Sequence, residues 1–124
     1  MNIVTSYFAK ADKLPAAMEQ VAICLYRPKR FHGLQLKTLA PSATLLHDYK
    51  CTKDIAFYSA RFKAYLNSLD FSAVMQELEE VGRGRDIALL CYEKSDDFCH
   101  RHLVAEWLSS HGQPCEEYKF RRVS

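Results

Sequence analysis

Short apolar runs along the chain have the lengths of β-strands. Residues 3–8 form a β-branched and aromatic run, and residues 21–26 are almost continuously apolar before Arg27 and Pro28 end the run. Residues 86–92 include five consecutive apolar positions, which leave no face of a strand for water. We therefore predict three buried strands, with the run at 86–92 central in a sheet, and a short fourth strand within residues 114–120.

Helical periodicity accounts for most of the remaining chain. Asp54 is a suitable N-cap, Gly82 suits the C′ position of one helix, and Gly112 suits the end of another. Four helices are predicted, and their starting residues are Pro41, Asp54, Asp70 or Ser72, and Phe98 or Cys99. The inner face of the helix after Asp54 is predicted to carry Ile55, Tyr58, Phe62, Tyr65, Leu66 and Leu69.

The order of these elements predicts the fold. Strands that alternate with helices through parallel crossovers form an open, mostly parallel sheet with helices on its faces. We predict a Rossmann-like three-layer α/β fold with about four strands, in which residues 1–124 make a single domain. Residues 28–41 contain two prolines and no sustained period, so we predict a long loop there.

Composition narrows the class of protein. The chain of 124 residues is 48% hydrophobic and 26% charged, which is typical of a globular domain. No run approaches the roughly 20 apolar residues of a membrane span, and the N-terminus lacks the pattern of a signal peptide. The five cysteines show no paired CxxC spacing. We therefore expect a cytoplasmic protein without a membrane partner, whose cysteines are reduced thiols.

The charge balance disfavours nucleic acid as the partner. The formal net charge is only +2, whereas nucleic-acid binding relies on clustered Lys and Arg. Two short basic clusters leave phosphate binding open as an alternative, and they contain Arg27, Lys29, Arg30, Arg83 and Arg85.

The segment 91–101 carries most of the chemistry in the sequence. In open α/β sheets, ligands bind beyond the carboxyl ends of strands, where loops lead to helix N-termini. Cys91 and Glu93 lie at the exit of the predicted central strand, and Cys99, His100 and Arg101 fall in the first turn of the next helix. Unpaired backbone N–H groups in such a turn favour an anion.

Each residue type in this segment brings a specific chemistry. Arg101 can bind a phosphate or carboxylate through its fork of donors, or it can pair with Glu93 inside the protein. His100 is expected to titrate near neutral pH and to move a proton. Cys99 stands at a helix start beside His and Arg, a setting that favours the reactive thiolate. Glu93 can act as a general base or as a nucleophile.

A purely structural interpretation uses the same residues. Asp96 and Asp97 can cap the helix, Arg101 can hold Glu93 in an ion pair, and Cys91 can be one more small buried side chain. A zinc site is a further alternative, with ligands from Cys91, Cys99 and His100, completed by Cys115 or His102. Because the spacing lacks the pairs typical of zinc motifs, we predict no metal.

Two phosphate-binding motifs are excluded. A Cys-x5-Arg phosphatase loop fails because Asp97 stands where the arginine belongs. Gly82-Arg83-Gly84 precedes a predicted strand, whereas a glycine-rich phosphate loop follows one. We therefore expect no bound cofactor.

Several segments resemble the domain of unknown function 488 (DUF488) family. The most specific are Leu89-Leu90-Cys91-Tyr92-Glu93-Lys94 and Phe98-Cys99-His100-Arg101-His102-Leu103-Val104-Ala105-Glu106-Trp107-Leu108, joined by Thr5-Ser6-Tyr7-Phe8-Ala9, Leu39-Ala40-Pro41 and Tyr49-Lys50. The resemblance implies an α/β fold and marks Cys91, Glu93, Cys99, His100 and Arg101 as motif positions, without supplying a reaction. Arg27 corresponds to the arginine of a family Asp-Val-Arg segment whose acid is absent here.

The leading hypothesis is a small enzyme, or a protein with an enzyme's pocket, that holds an anionic small molecule such as a nucleotide. Arg101 and Arg27 would hold the anion, and Glu93 or His100 would move protons. Cys99 is the candidate nucleophile, with Cys91 beside it. Tyr7, at the end of the first strand, and His32, in the neighbouring loop, are predicted to line the pocket. The rival hypothesis is a binding or interaction module without catalysis, and composition does not give an oligomeric state.

Overall fold

The computed structural model of the chain describes residues 1–93 and 98–120. It contains five strands, namely β1 (Ile3–Tyr7), β2 (Glu19–Ala22), β3 (Leu34–Gln35), β4 (Ile87–Cys91) and β5 (Cys115–Glu117). These strands form one sheet in the order β3-β2-β4-β1-β5, and every neighbouring pair is parallel. The predicted open parallel sheet is confirmed, and it gains a fifth strand.

Four α-helices follow the predicted order. They are α1 (Ala43–Thr52), α2 (Ile55–Asn67), α3 (Phe71–Gly82) and α4 (His100–Ser110), and two short 3-10 helices span Phe8–Lys13 and Lys37–Leu39. The Asp54 side chain accepts a hydrogen bond from the Phe57 amide, and Asp70 accepts from the amides of Ser72 and Ala73. Both predicted N-caps are confirmed. The predicted caps Asp96 and Asp97 lie outside the described residues.

Alternate side chains of β4 face two different layers. Ile87 and Leu89 pack against α2, α3 and α4, whereas Ala88 and Leu90 pack against the 3-10 helix Phe8–Lys13 and the buried Leu14 that follows it. All five residues of β4 are buried, which confirms its central position. The three-layer α/β architecture is confirmed, with the α-helices on one face of the sheet and the 3-10 segment on the other.

The register of the sheet brings three strand ends to one edge. Tyr7 of β1 pairs with Cys91 of β4, and Ala22 of β2 pairs with Leu90. Because the strands are parallel, the segments that follow β1, β2 and β4 all emerge at this edge, which is where ligands bind in folds of this type.

The predicted second strand is too long at its end. β2 stops at Ala22, although Ile23 still donates its amide to the Leu90 carbonyl. Beyond that point the backbone carbonyls bind side chains and not a neighbouring strand. Ile23 O contacts the His100 ring, and Cys24 O accepts from the side-chain amide of Gln35. Residues 21–24 of the apolar run stay buried, whereas Tyr26 is exposed, and the hydrogen bonds after Ile23 leave the sheet.

Two other local predictions are wrong. The segment 28–41 is not a continuous loop, because Leu34–Gln35 pairs with β2 as a strand of two residues. Gly82 is not the C′ residue but the last residue of α3, and the left-handed conformation falls on Arg83, at a φ of 53°. A Cβ at Gly82 would lie 2.7 Å from the Ile87 side chain, so close packing requires this glycine.

The inner face of α2 is narrower than predicted. Tyr58, Phe62 and Leu66 are buried, but Ile55 and Tyr65 are exposed. Within the described residues, no helix is both long and apolar enough to cross a membrane.

Candidate functional site

A cavity of about 250 Å³ opens at the carboxyl ends of β2 and β4. It combines the chain after β2, the chain after β4, and one side of α1. The residues that line it are Cys24, Leu25, Tyr26, Pro41, Leu46, Lys50, Cys91, Tyr92, Glu93 and His100. Three of the candidate residues, Cys91, Glu93 and His100, therefore meet at one cavity.

The two cysteines of the candidate segment are in direct contact. The structure joins the Sγ atoms of Cys91 and Cys99 as a disulfide, whereas Cys24, Cys51 and Cys115 are free. The prediction of five reduced thiols is wrong for this pair, because the fold brings together the end of β4 and the start of α4, which no CxxC spacing announces at a separation of eight residues. Cys91 borders the cavity. Cys99 lies behind Cys91 and is 3% exposed.

His100 is held with its ring edge against the backbone. Its Nε2 lies 2.5 Å from the Ile23 carbonyl oxygen, and since that oxygen can only accept, Nε2 donates. Its Nδ1 lies 3.8 Å from Cys99 Sγ. Burial is the main cause that lowers the pKa of His100 to about 4. The hydrogen bond to Ile23 raises the pKa, and the Arg101 charge lowers it by a smaller amount. The expectation that His100 titrates near neutral pH is therefore wrong.

Arg101 is completely buried, and its donors point into the protein. Nε and Nη2 donate to the two oxygens of the Glu117 carboxylate at 3.0 and 2.9 Å, and Nη1 donates to the Glu93 carbonyl at 2.6 Å and to Cys91 Sγ at 3.1 Å. Thr5 Oγ1 donates to the same carboxylate at 2.6 Å. The carboxylate partner of Arg101 is thus Glu117 on β5, not the side chain of Glu93.

The Glu93 carboxylate faces the cavity. Its Oε2 lies 4.0 Å from Cys91 Sγ. Burial is the main cause of the raised pKa values of Cys24, Tyr58 and Tyr92, and the negative charge of Glu93 contributes to each of them. The Glu93 charge therefore acts on two residues of the cavity wall, Cys24 and Tyr92, and on the core residue Tyr58.

Lys50 and two tyrosines complete the cavity wall. Lys50 on α1 supplies the cationic side chain among the lining residues. The Tyr92 hydroxyl donates to the Tyr26 carbonyl at 2.6 Å and so ties the chain after β4 to the chain after β2. Sequence reasoning did not identify Lys50 as a site residue, although Tyr49-Lys50 belongs to the segments that resemble DUF488.

The other predicted site residues lie around this cavity and not in it. The Tyr7 ring packs against Arg101, whose guanidinium carbon is 5.6 Å from the ring centroid. Arg27 is exposed, and its Nη1 donates to the Gly33 carbonyl at 3.3 Å. His32 lines a separate cavity of about 570 Å³ beside Phe8 and Arg30. The structure therefore brings Tyr7 against the site residue Arg101 but leaves Arg27 and His32 outside the cavity.

The two basic clusters lie at opposite ends of the sheet. The cluster at Arg27 follows the carboxyl end of β2, whereas Arg83 and Arg85 precede the amino end of β4. Arg85 is paired with Glu19 at 3.2 Å. Because β2 and β4 are parallel, the clusters do not form one continuous basic surface.

Comparison with known proteins identifies the family. No curated protein and no solved structure is significantly similar to the chain. A family model described as the active DUF488-N3 subclade matches residues 8–112, which include β2, β4, α4 and every residue that lines the cavity. The resemblance seen in the sequence is confirmed: the chain belongs to the DUF488 family.

Proposed function

We propose that this protein is a small enzyme whose cavity at the ends of β2 and β4 holds a small anionic molecule of the nucleotide type. The observation that carries the proposal is the convergence of Cys91, Glu93, His100 and Lys50 on one concave site. Polar and reactive groups that converge in a pocket at a strand exit are the usual mark of a ligand site. The description of the matching subclade as active supports an enzyme.

Lys50 is the proposed anion-binding residue. Arg101 was the first candidate from the sequence, but its guanidinium is 0% exposed and is engaged by Glu117, Cys91 and the Glu93 backbone. The Lys50 side chain is exposed and lines the cavity, so its ammonium group can reach a phosphate or carboxylate there. Arg101 instead holds Cys91 and the Glu93 backbone in position through its hydrogen bonds.

The size of the cavity limits what enters it. A volume of about 250 Å³ is slightly below the roughly 300–1,000 Å³ typical of small-molecule pockets. It has room for an anionic group and part of the molecule that carries it. The rings of Tyr26, which is 64% exposed, and Tyr92 lie at the cavity and offer flat surfaces for a planar base.

Glu93 is the proposed proton-transfer group, and Cys91 is the sulfur that faces a bound molecule. Glu93 lies beside Cys91 Sγ at 4.0 Å and is exposed, whereas His100 is buried with a pKa of about 4 and stays neutral near pH 7. Only the reduced pair offers a thiol, and because Cys99 lies behind Cys91, the role of candidate nucleophile passes to Cys91 of the reduced protein.

The test is a binding screen by calorimetry with nucleoside mono-, di- and triphosphates and small carboxylates. We expect at least one compound to bind, and Lys50→Gln to weaken its binding roughly tenfold, since a hydrogen bond to a charged group contributes about 1.5–3 kcal/mol. Lys63→Gln, on the exposed surface of α2, is the matched control and should leave binding unchanged. Binding that Lys50→Gln does not weaken, or a panel without a ligand, would overturn the proposal.

Long incubation with the ligand separates catalysis from storage. An enzyme converts the compound, and Glu93→Gln should then bind it with little change in affinity but convert it at least about a hundredfold more slowly. Recovery of the unmodified compound from the wild-type protein would favour the rival interpretation, a binding module without catalysis.

A further inference from the structure

Three potential metal ligands lie together at the wall of the cavity, two of them bordering it. The Sγ atoms of Cys91 and Cys99 and a ring nitrogen of His100 all lie within 4.8 Å of one another. Their residues are 1%, 3% and 7% exposed, so the cluster is shielded from bulk water. Two thiolates and one imidazole form a ligand set that suits zinc and related divalent ions.

The orientation of His100 fits a metal ligand. Its Nε2 donates to the Ile23 carbonyl, which fixes the ring and leaves Nδ1 facing Cys99 Sγ at 3.8 Å. Histidines that bind metals usually donate their other ring N–H to a backbone carbonyl or a carboxylate in this way. The hydrogen bond therefore orients the free nitrogen toward the two sulfurs.

Arg101 supplies the outer layer of the cluster. Its Nη1 donates to Cys91 Sγ at 3.1 Å from a buried position. Two thiolates neutralise one divalent ion, but each metal-bound sulfur keeps partial negative charge and can still accept a hydrogen bond from a guanidinium. Glu117 and Glu93 hold Arg101 in this place through its other donors.

We propose that the reduced protein binds one zinc-class divalent ion through Cys91, Cys99 and His100. Both cysteines lose their thiol protons on binding, and oxidation of the pair to the disulfide removes the site. Three protein ligands leave one tetrahedral position free, as in catalytic zinc sites. Cys91 and His100 border the cavity and Cys99 lies behind them, so the free position faces the cavity.

The spacing in the sequence had argued against this site. Cys-x7-Cys-His has no CxxC pair. Of the two fourth ligands considered, His102 is not part of the cluster, and Cys115 lies at the amino end of the sheet beside Ile3. The fold brings the three ligands together although their spacing in the sequence is not that of a zinc motif. Cys91 ends β4, and Cys99 and His100 lie at the start of α4. The site requires no ligand in the cavity, but it shares Cys91 with the proposed function, so cobalt binding and nucleotide binding are measured separately.

The test uses the whole protein, reduced, treated with a chelator, and titrated with Co²⁺ under anaerobic conditions. We expect one equivalent to give thiolate-to-cobalt charge transfer in the near ultraviolet and the visible bands of tetrahedral cobalt, and Zn²⁺ to displace it. Cys99→Ser should weaken Co²⁺ binding by more than about a hundredfold, the upper end of what the loss of an outer-layer partner costs. Absence of these bands in the reduced wild-type protein would overturn the proposal.

Two controls keep the result interpretable. Cys51 and His47 form an exposed pair at 3.6 Å on α1, and Cys51→Ser should leave the cobalt spectrum unchanged. If Cys99→Ser does not fold, alkylation of the wild-type protein decides: Zn²⁺ should protect Cys91 and Cys99 from iodoacetamide but not Cys51. A spectrum that disappears with Cys51→Ser, or zinc that protects Cys51 alone, would identify surface binding and overturn the site.

Discussion

The start of α4 and the loop from β2 to β3 lie at the same edge of the sheet, yet their arginines differ in burial and in pairing. At the first, Arg101 is fully buried and bound to Glu117, Cys91 and the Glu93 backbone. At the second, Arg27 is exposed, with a single bond to the Gly33 carbonyl.

The difference shows that an arginine near a strand end is not by itself an anion site. A buried guanidinium needs a partner for its charge and its donors, and Arg101 finds them in the fold. Arg101 therefore organises the site from behind, and the proposed anion-binding residue is the exposed Lys50. Each substitution below tests this contrast between a region built by internal pairing and a region facing solvent.

The largest expected effect comes from Arg101→Ala. It leaves the Glu117 carboxylate without its cation, and breaking a buried ion pair costs about 3–5 kcal/mol. Because the Glu117 side chain is 22% exposed, we expect the lower end of that range in the free energy of unfolding, measured in urea. Arg27→Ala should stay within about 0.5 kcal/mol of wild type. Equal stability of the two variants would contradict the contrast.

Glu117→Gln should have a smaller effect. The amide oxygen can still accept from Arg101 and Thr5, but the negative charge opposite the buried guanidinium is lost. We expect a loss of about 1.5–3 kcal/mol in the free energy of unfolding, the range of hydrogen bonds to charged groups. Glu116→Gln, at the exposed neighbouring position, is the matched control and should be neutral. A neutral Glu117→Gln would mean that the charge is not needed.

Tyr92→Phe should have the smallest effect. It removes the hydroxyl that donates to the Tyr26 carbonyl across the two regions, at an exposed position. We expect a loss of about 0.5–1 kcal/mol in the free energy of unfolding. Tyr26→Phe is the control, since its side chain is 64% exposed. If both variants behave alike, the bond does not hold the two regions together.

Much of the fold follows from local signals in the sequence. Five consecutive apolar residues identified β4 as central, and Asp54 and Asp70 marked helix starts because a cap depends only on its own turn. The strand Leu34–Gln35 has no such signal: its two residues form a strand only because β2 offers an open edge.

The site was only partly predictable for the same reason. Cys91, Glu93 and His100 were identified because they follow one strand along the chain. The pairing of Arg101 with Glu117 depends on β5 lying beside β1, and the contribution of Lys50 depends on how α1 packs. The lowered pKa of His100 arises from burial. The residues next to His100 in the sequence do not indicate that its ring is buried.

The most direct test of the proposed cavity is the rate at which iodoacetamide labels each cysteine of the reduced, metal-free protein, read by peptide mass spectrometry. Cys115 is the internal reference for an inert thiol, because burial, and then the Glu117 and Glu116 charges, raise its pKa to about 12. We predict that Cys91 is labelled faster than Cys115. An anionic ligand at about ten times its Kd should then slow Cys91 roughly tenfold and leave the exposed Cys51 unchanged. If Cys91 is as inert as Cys115, or if no compound in the nucleotide panel protects it, the cavity is not the binding site.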